Sequence, residues 1–179
     1  LMIAKSGSNT CADMNISLFD AYNYTVYVPT NEAIEKLHAE GYLPYWTDVE
    51  NLTVDDFGGN NNKFKEAKTA LAARIINFLK YHIQDNSVII GGADNANVKF
   101  ETFTNNPVNK RFYSIMVTSD KDKLEVTDQM GTRCSVVKTP GLYNIQGREY
   151  WIKNKDKEND VIYNASDVVV HQIDGALIY

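Results

Sequence analysis

At 179 residues, with 44% hydrophobic and 23% charged side chains, the chain has the size and composition of one folded domain, not of a disordered segment. A net charge of −5, with no concentrated run of lysine or arginine, excludes a surface built to displace counterions from nucleic acid. No run of about 18 apolar residues occurs, so no segment reads as a membrane-spanning helix.

The first residues, Leu1-Met2-Ile3-Ala4, read as the interior of a longer precursor and carry no charged-then-apolar leader. Cys11 and Cys134 lie too far apart for a CxxC motif. Their spacing suggests one long-range disulfide or two buried thiols, and the buried-thiol reading is preferred. Sequons at Asn15, Asn23, Asn51 and Asn164 matter only if the chain passes through a eukaryotic secretory pathway.

In chain order, Tyr24-Thr25-Val26-Tyr27-Val28 is a β-rich run ended by Pro29. Thr30 stands where a helix N-cap belongs, and Glu32 falls in the first turn, where the dipole favours an acid. Ala33, Ile34 and Leu37 follow at helical spacing, and Gly41 is placed to stop the helix. From Gly41 to about Asn62 no period holds, which predicts a loop with one short helix. A second helix is expected from about Lys63 to Ile83, with Leu71, Ile75, Phe78, Leu79 and His82 on one stripe.

Beyond Asn86 the texture changes to strands and turns. Strands are expected at about 87–90, 99–104, 112–119, 123–128, 133–139, 142–145, 150–152 and 168–179. "SDKDK" reads as a hairpin turn and "KNKDKEND" as a solvated loop. Helices in the first half and strands in the second predict an α+β fold in one domain spanning 1–179.

Three of these segments, in order, resemble the landmarks of the fasciclin domain family. "YTVYVPTNEAIEKL" is similar to its strand, Pro-Thr-Asn turn and helix, here Pro29, Thr30 and Asn31. "FLKYHI" resembles its tyrosine–histidine motif, Tyr81 and His82. "VVVHQIDGALIY" resembles its closing segment, with His171, Ile173 and Asp174 at the matching positions. The resemblance covers Tyr24 to Tyr179. It implies a twisted β-wedge packed with several helices, and a non-enzymatic adhesion or interaction module outside the cell. Such a module is secreted or lipid-anchored, with a protein or glycan partner at the cell surface. The chain departs from the pattern in three places. The Asn-Gly that commonly precedes the closing segment is absent, residues 41–63 form an insertion, and the helix expected before the opening strand is not evident in 1–23, as if clipped. No Arg-Gly-Asp occurs, so integrin binding is not implied.

The two motif histidines decide whether chemistry should be expected. In an extended segment Val169, His171 and Ile173 share one face and Val168, Val170 and Gln172 the other. Both faces are apolar up to His171, which predicts a strand buried on two sides. A buried imidazole must find a partner, a backbone carbonyl or a side chain such as Thr30 or Asn31. The competing reading is a metal site formed by His82, His171 and Asp174. It lacks HxxxH or HxH spacing and is the weaker of the two. There is no GxSxG, HExxH or phosphate-binding glycine loop, so no catalytic residue, metal or cofactor is assigned. Asp120 and Asp122 read as turn residues, His38 as a helix-end cation, and Cys134 as a buried strand thiol.

The candidate binding stretch is "GYLPYW", where Tyr42, Tyr45 and Trp46 could stack on a sugar or anchor a protein. The preferred alternative is that these aromatics fold back to fasten the loop. The runner-up function is accordingly a carbohydrate-binding accessory domain of a bacterial surface system. A hydrolase with an unrecognised site ranks third.

Overall fold

The computed structural model describes residues 23–153 and 161–179, with the side chains of 147–153 and 161–167 outside the described set. The chain runs β1 (Tyr24–Pro29), α1 (Asn31–Ala39), α2 (Trp46–Asn51), a 3₁₀ turn at Asp55–Phe57 and α3 (Asn61–Tyr81). Strands follow: β2 (Ile83–Asp85), β3 (Asn95–Asn105), β4 (Phe112–Ser119), β5 (Leu124–Thr127), β6 (Arg133–Ser135), β7 (Ile145–Lys153) and β8 (Val161–Ile173). They form an eight-stranded mixed sheet in the order β6-β5-β4-β3-β2-β1-β8-β7, so the fold is α+β. Among the described pairs β1–β8 is the parallel one, and it sets Tyr27 beside His171 and Pro29 beside Ile173. The sheet curls on itself. Val136, just past β6, bridges to Ile173 of β8, and Val137 N–H donates to the Gln172 carbonyl.

Local signals explain the first half. The Thr30 hydroxyl accepts from Ala33 N–H and starts α1. The helix ends as Gly41, at φ +73°, donates to the His38 carbonyl while Tyr42 N–H reaches Leu37. That 5→2 and 6→1 pair satisfies the last orphan carbonyls and needs a left-handed residue at Gly41. α3 begins two residues before the predicted Lys63 because the Asn60 side chain accepts from both Asn62 and Lys63 N–H. Of the predicted stripe on α3, Ile75 and Phe78 are buried and Leu71 and Leu79 half-buried. Tyr81, off that stripe, is buried too, and the helix ends at Tyr81, so His82 lies just past it and not on it. The β4–β5 turn is as expected, with one Asp120 carboxylate oxygen accepting from Asp122 and Lys123 N–H.

Several predicted strands are corrected. Residues 87–90 and 142–144 lie outside any strand, β6 stops at Ser135, and the closing strand stops at Ile173 instead of continuing to Tyr179. At 87–90 side chains take the place of the ladder, whereas past β6 Val136 and Val137 N–H donate to the backbone carbonyls of Leu124 and Gln172. Val88 N–H donates to Thr25 Oγ1, and the side-chain amide of Asn144 both accepts from Ile90 N–H and donates to the Ile90 carbonyl. The predicted two-sided burial of β8 is uneven: Val169, His171 and Ile173 are buried, whereas Val168, Val170 and Gln172 are half-buried. The predicted loop "KNKDKEND" falls mostly outside the described residues, as does Cys11.

Two cores result. One lies inside the curled sheet and includes Tyr27, Tyr81, Ile115, Val117, Leu124, Val126, Ile173 and Leu177. The other lies under the helices around Leu37, Leu43, Val49, Ile75 and Phe78. The closing residues join them, because Leu177 enters the first while Ala176 and Ile178 pack on the second. That division explains a run of apolar residues that is not a strand.

Candidate functional site

The resemblance segments converge. Tyr27 of β1 lies beside His171 with ring centroids 6.2 Å apart, and its N–H donates to the His82 carbonyl. Its hydroxyl donates to Gln84 Oε1 at 2.7 Å, and burial holds the phenol far above its ordinary pKa. Thr30 is used as the α1 cap and Asn31 is exposed, so neither serves a histidine; backbone groups do.

His82 follows the last residue of α3. Its own N–H turns to the Leu79 and Lys80 carbonyls instead of Phe78, and ring Nδ1–H donates to the Phe78 carbonyl at 2.8 Å. The opposite nitrogen, Nε2, accepts from Leu177 N–H at 3.0 Å. His171 uses the other tautomer. Its Nε2–H donates to the Val88 carbonyl at 2.8 Å, and Nδ1 accepts from Asn144 N–H at 3.2 Å. Every ring nitrogen is therefore engaged with backbone, and each ring must be neutral to act as both donor and acceptor. Burial pushes His82 down to about 4 and His171 downward as well.

Asp174 is not brought to either imidazole. It is exposed, and its carboxylate accepts from Ser135 N–H at 2.7 Å, fastening β6 to the end of β8. Among the described residues no group of three or more His, Cys, Asp or Glu side chains gathers as a metal cluster. Cys134 is a buried free thiol, pushed up to about 11 by burial and then by Asp174 and Asp128. Its sulfur sits where a side chain on Gly175 would go: a Cβ there would lie 2.7 Å from Sγ. Gly175→Ala is expected to destabilise by about 1–3 kcal/mol through overpacking, with much of the loss recovered in Gly175→Ala/Cys134→Ala. Equal urea midpoints for Gly175→Ala and wild type would contradict the packing.

The aromatic stretch is divided by the fold. Trp46 is half-buried against the helical core, and its Nε1–H donates to Glu50 at 2.8 Å, so it fastens the loop. Tyr42 and Tyr45 face solvent, 61% and 46% exposed. Tyr45 stacks on His38 at 3.8 Å, and the His38 ring is itself held by Nδ1–H donation to the Leu43 carbonyl. The Tyr45 hydroxyl points toward Glu35, and its N–H donates to Asp48. Arg74 of α3 donates to the carbonyls of Gly41 and Tyr42 at 2.6 Å each, which clamps the loop to the helix. The result is a braced aromatic surface edged by carboxylates. Tyr150 and Trp151 lie in β7, and their side chains are outside the described residues.

Sequence reasoning missed Asn144, Asp128 and the His38–Tyr45 stack. Asp128 is buried, and its two oxygens accept from Thr132 and Ile178 N–H. Asn144 adopts φ +49°, a left-handed position that asparagine tolerates. Its place between two apolar stretches was the available signal. No protein-family model and no curated protein sequence matches the chain.

Proposed function

We propose that the chain is a fasciclin-like module, a non-enzymatic adhesion or interaction domain presented outside the cell in secreted or lipid-anchored form. The observation that carries this reading is the meeting of all three resemblance segments at one place, with β1 parallel to β8 and both motif histidines committed to backbone partners. Imidazoles fixed in this way brace a scaffold and leave no free base or ligand. Antibody labelling of intact source cells tests the location: surface staining is expected, and confinement to the soluble lysate would contradict the proposal.

The partner, a protein or a glycan, is proposed to meet the Tyr42–Tyr45 surface. Flat, amphipathic rings already held by Arg74, His38 and Asp48 lose little freedom on binding. The runner-up, a carbohydrate-binding accessory domain, is favoured by the same exposed rings beside the acceptors Glu35 and Asp48. A glycan array separates the two readings. Binding of a defined sugar that weakens about tenfold or more in Tyr42→Ser or Tyr45→Ser supports the carbohydrate reading. An array silent for wild type, with a surface protein captured only by the unmutated domain, supports the adhesion reading.

A further inference from the structure

A second surface lies among the strands. β4 and β5 are antiparallel neighbours, with Met116 opposite Thr127. The loop that enters β4 and the turn that leaves β5 therefore emerge at the same end of the sheet. The first is the β3–β4 loop, closed by Asn105 opposite Phe112 and by mutual bonds between Asn106, Lys110 and Arg111. The Asn106 side chain also accepts from Val108 N–H, which braces the loop from within. The second is the 128–132 turn, held by Asp128.

Both tips end in apolar side chains that nothing in the described fold covers. Val108 is 89% exposed and Met130 68%, and Phe112 beside the first tip is 46% exposed. The two tip segments themselves carry charge of one sign. Residues 105–113 and 129–133 contain Lys110, Arg111 and Arg133 and no acidic residue, in a chain whose net charge is −5. Glu125 pairs with Arg133 at 4.0 Å and offsets that cation, and Asp128 is buried below the turn, so among the described residues the unpaired positive charge at the tips is carried by Lys110 and Arg111.

We propose that these two tips form a contact for an anionic lipid surface, with Val108 and Met130 entering the interface and Lys110 and Arg111 meeting lipid phosphates. Protruding apolar tips ringed by cations fit a soft interface, where apolar burial and attraction to anionic headgroups add. A polyanionic glycan would engage the cations and leave Val108 and Met130 without a role. This contact goes beyond the adhesion reading and uses none of the residues assigned to it.

Co-sedimentation with vesicles tests the contact, using phosphatidylcholine alone and phosphatidylcholine mixed with phosphatidylglycerol. The whole chain is expected to bind the mixed vesicles, to ignore the neutral ones, and to dissociate as salt is raised. Lys110→Gln/Arg111→Gln is expected to weaken binding about thirtyfold, at about fivefold for each cation near an anionic surface. Val108→Ser/Met130→Ser should weaken it too, with circular dichroism unchanged because both side chains are exposed. Tyr42→Ser should bind vesicles like wild type, which keeps the two surfaces distinguishable. No binding to mixed vesicles would overturn the proposal, as would equal binding to neutral ones. Heparin binding that needs the cations, with vesicle binding unaffected by Val108→Ser/Met130→Ser, would replace the lipid with a polyanion.

Discussion

Lowering the pH from about 6.5 to about 4 is expected to remove about 3 kcal/mol of stability through His82 alone, with a further loss through His171. An unfolded histidine titrates near 6.5, whereas buried His82 titrates near 4. Between those values the unfolded chain binds a proton that the folded chain refuses, so stability falls as pH falls and is fully present above about 6.5. At about 1.4 kcal/mol per unit the separation gives the stated figure. Geometry leads to the same result. A protonated His82 cannot accept from Leu177 N–H, and a protonated His171 cannot accept from Asn144 N–H. Urea midpoints measured across this range should fall steeply for wild type and less steeply for His82→Gln. Parallel slopes would show that His82 is not the group that titrates.

His171→Ala is expected to cost about 2–4 kcal/mol. It leaves the buried Val88 carbonyl without its donor, worth about 1–3 kcal/mol, and opens a cavity where a fully buried ring stood. Asn144→Ala should cost a similar amount, since it orphans both the N–H and the carbonyl of Ile90. Asn144→Gly keeps the left-handed backbone and isolates the hydrogen-bond loss. Because both side chains hold the same segment, the double variant should cost less than the sum of the two. Amide exchange should quicken at Val88 and Ile90 before it does in β4. A His171→Ala protein with an unchanged midpoint and unchanged exchange at Val88 would contradict this account.

These two experiments address the polar skeleton, which was also the least legible part of the sequence. Thr30 as cap, Gly41 as stop, the α3 stripe and the Asp120 turn could be read because each depends on residues within about a turn of one another. Residues 87–90 and 174–179 could not. Their apolar character asked for burial, and a short apolar run satisfies strand and non-strand alike until the partners of its backbone are known. The partners came from far away: His171 for Val88, Asn144 for Ile90, His82 for Leu177 and Asp128 for Ile178.

The candidate site divided along the same line. Exposed rings at Tyr42 and Tyr45 and a half-buried Trp46 come from one short stretch of similar residues. Arg74, thirty-odd positions away, fixes how that loop lies on α3 and so which rings face water. The Val108 and Met130 tips share one end of the sheet only because β4 and β5 run antiparallel.

By itself the sequence determined the α+β class, the capped strand–turn–helix of Tyr24 to Gly41 and the burial of two histidines, since local hydrogen bonds and apolar spacing are written in neighbouring residues. Tertiary structure alone decided which tautomer each imidazole holds, why two apolar segments are not strands, and which aromatic and basic side chains share a surface. Those outcomes rest on contacts between residues up to 95 positions apart, and no local preference encodes them.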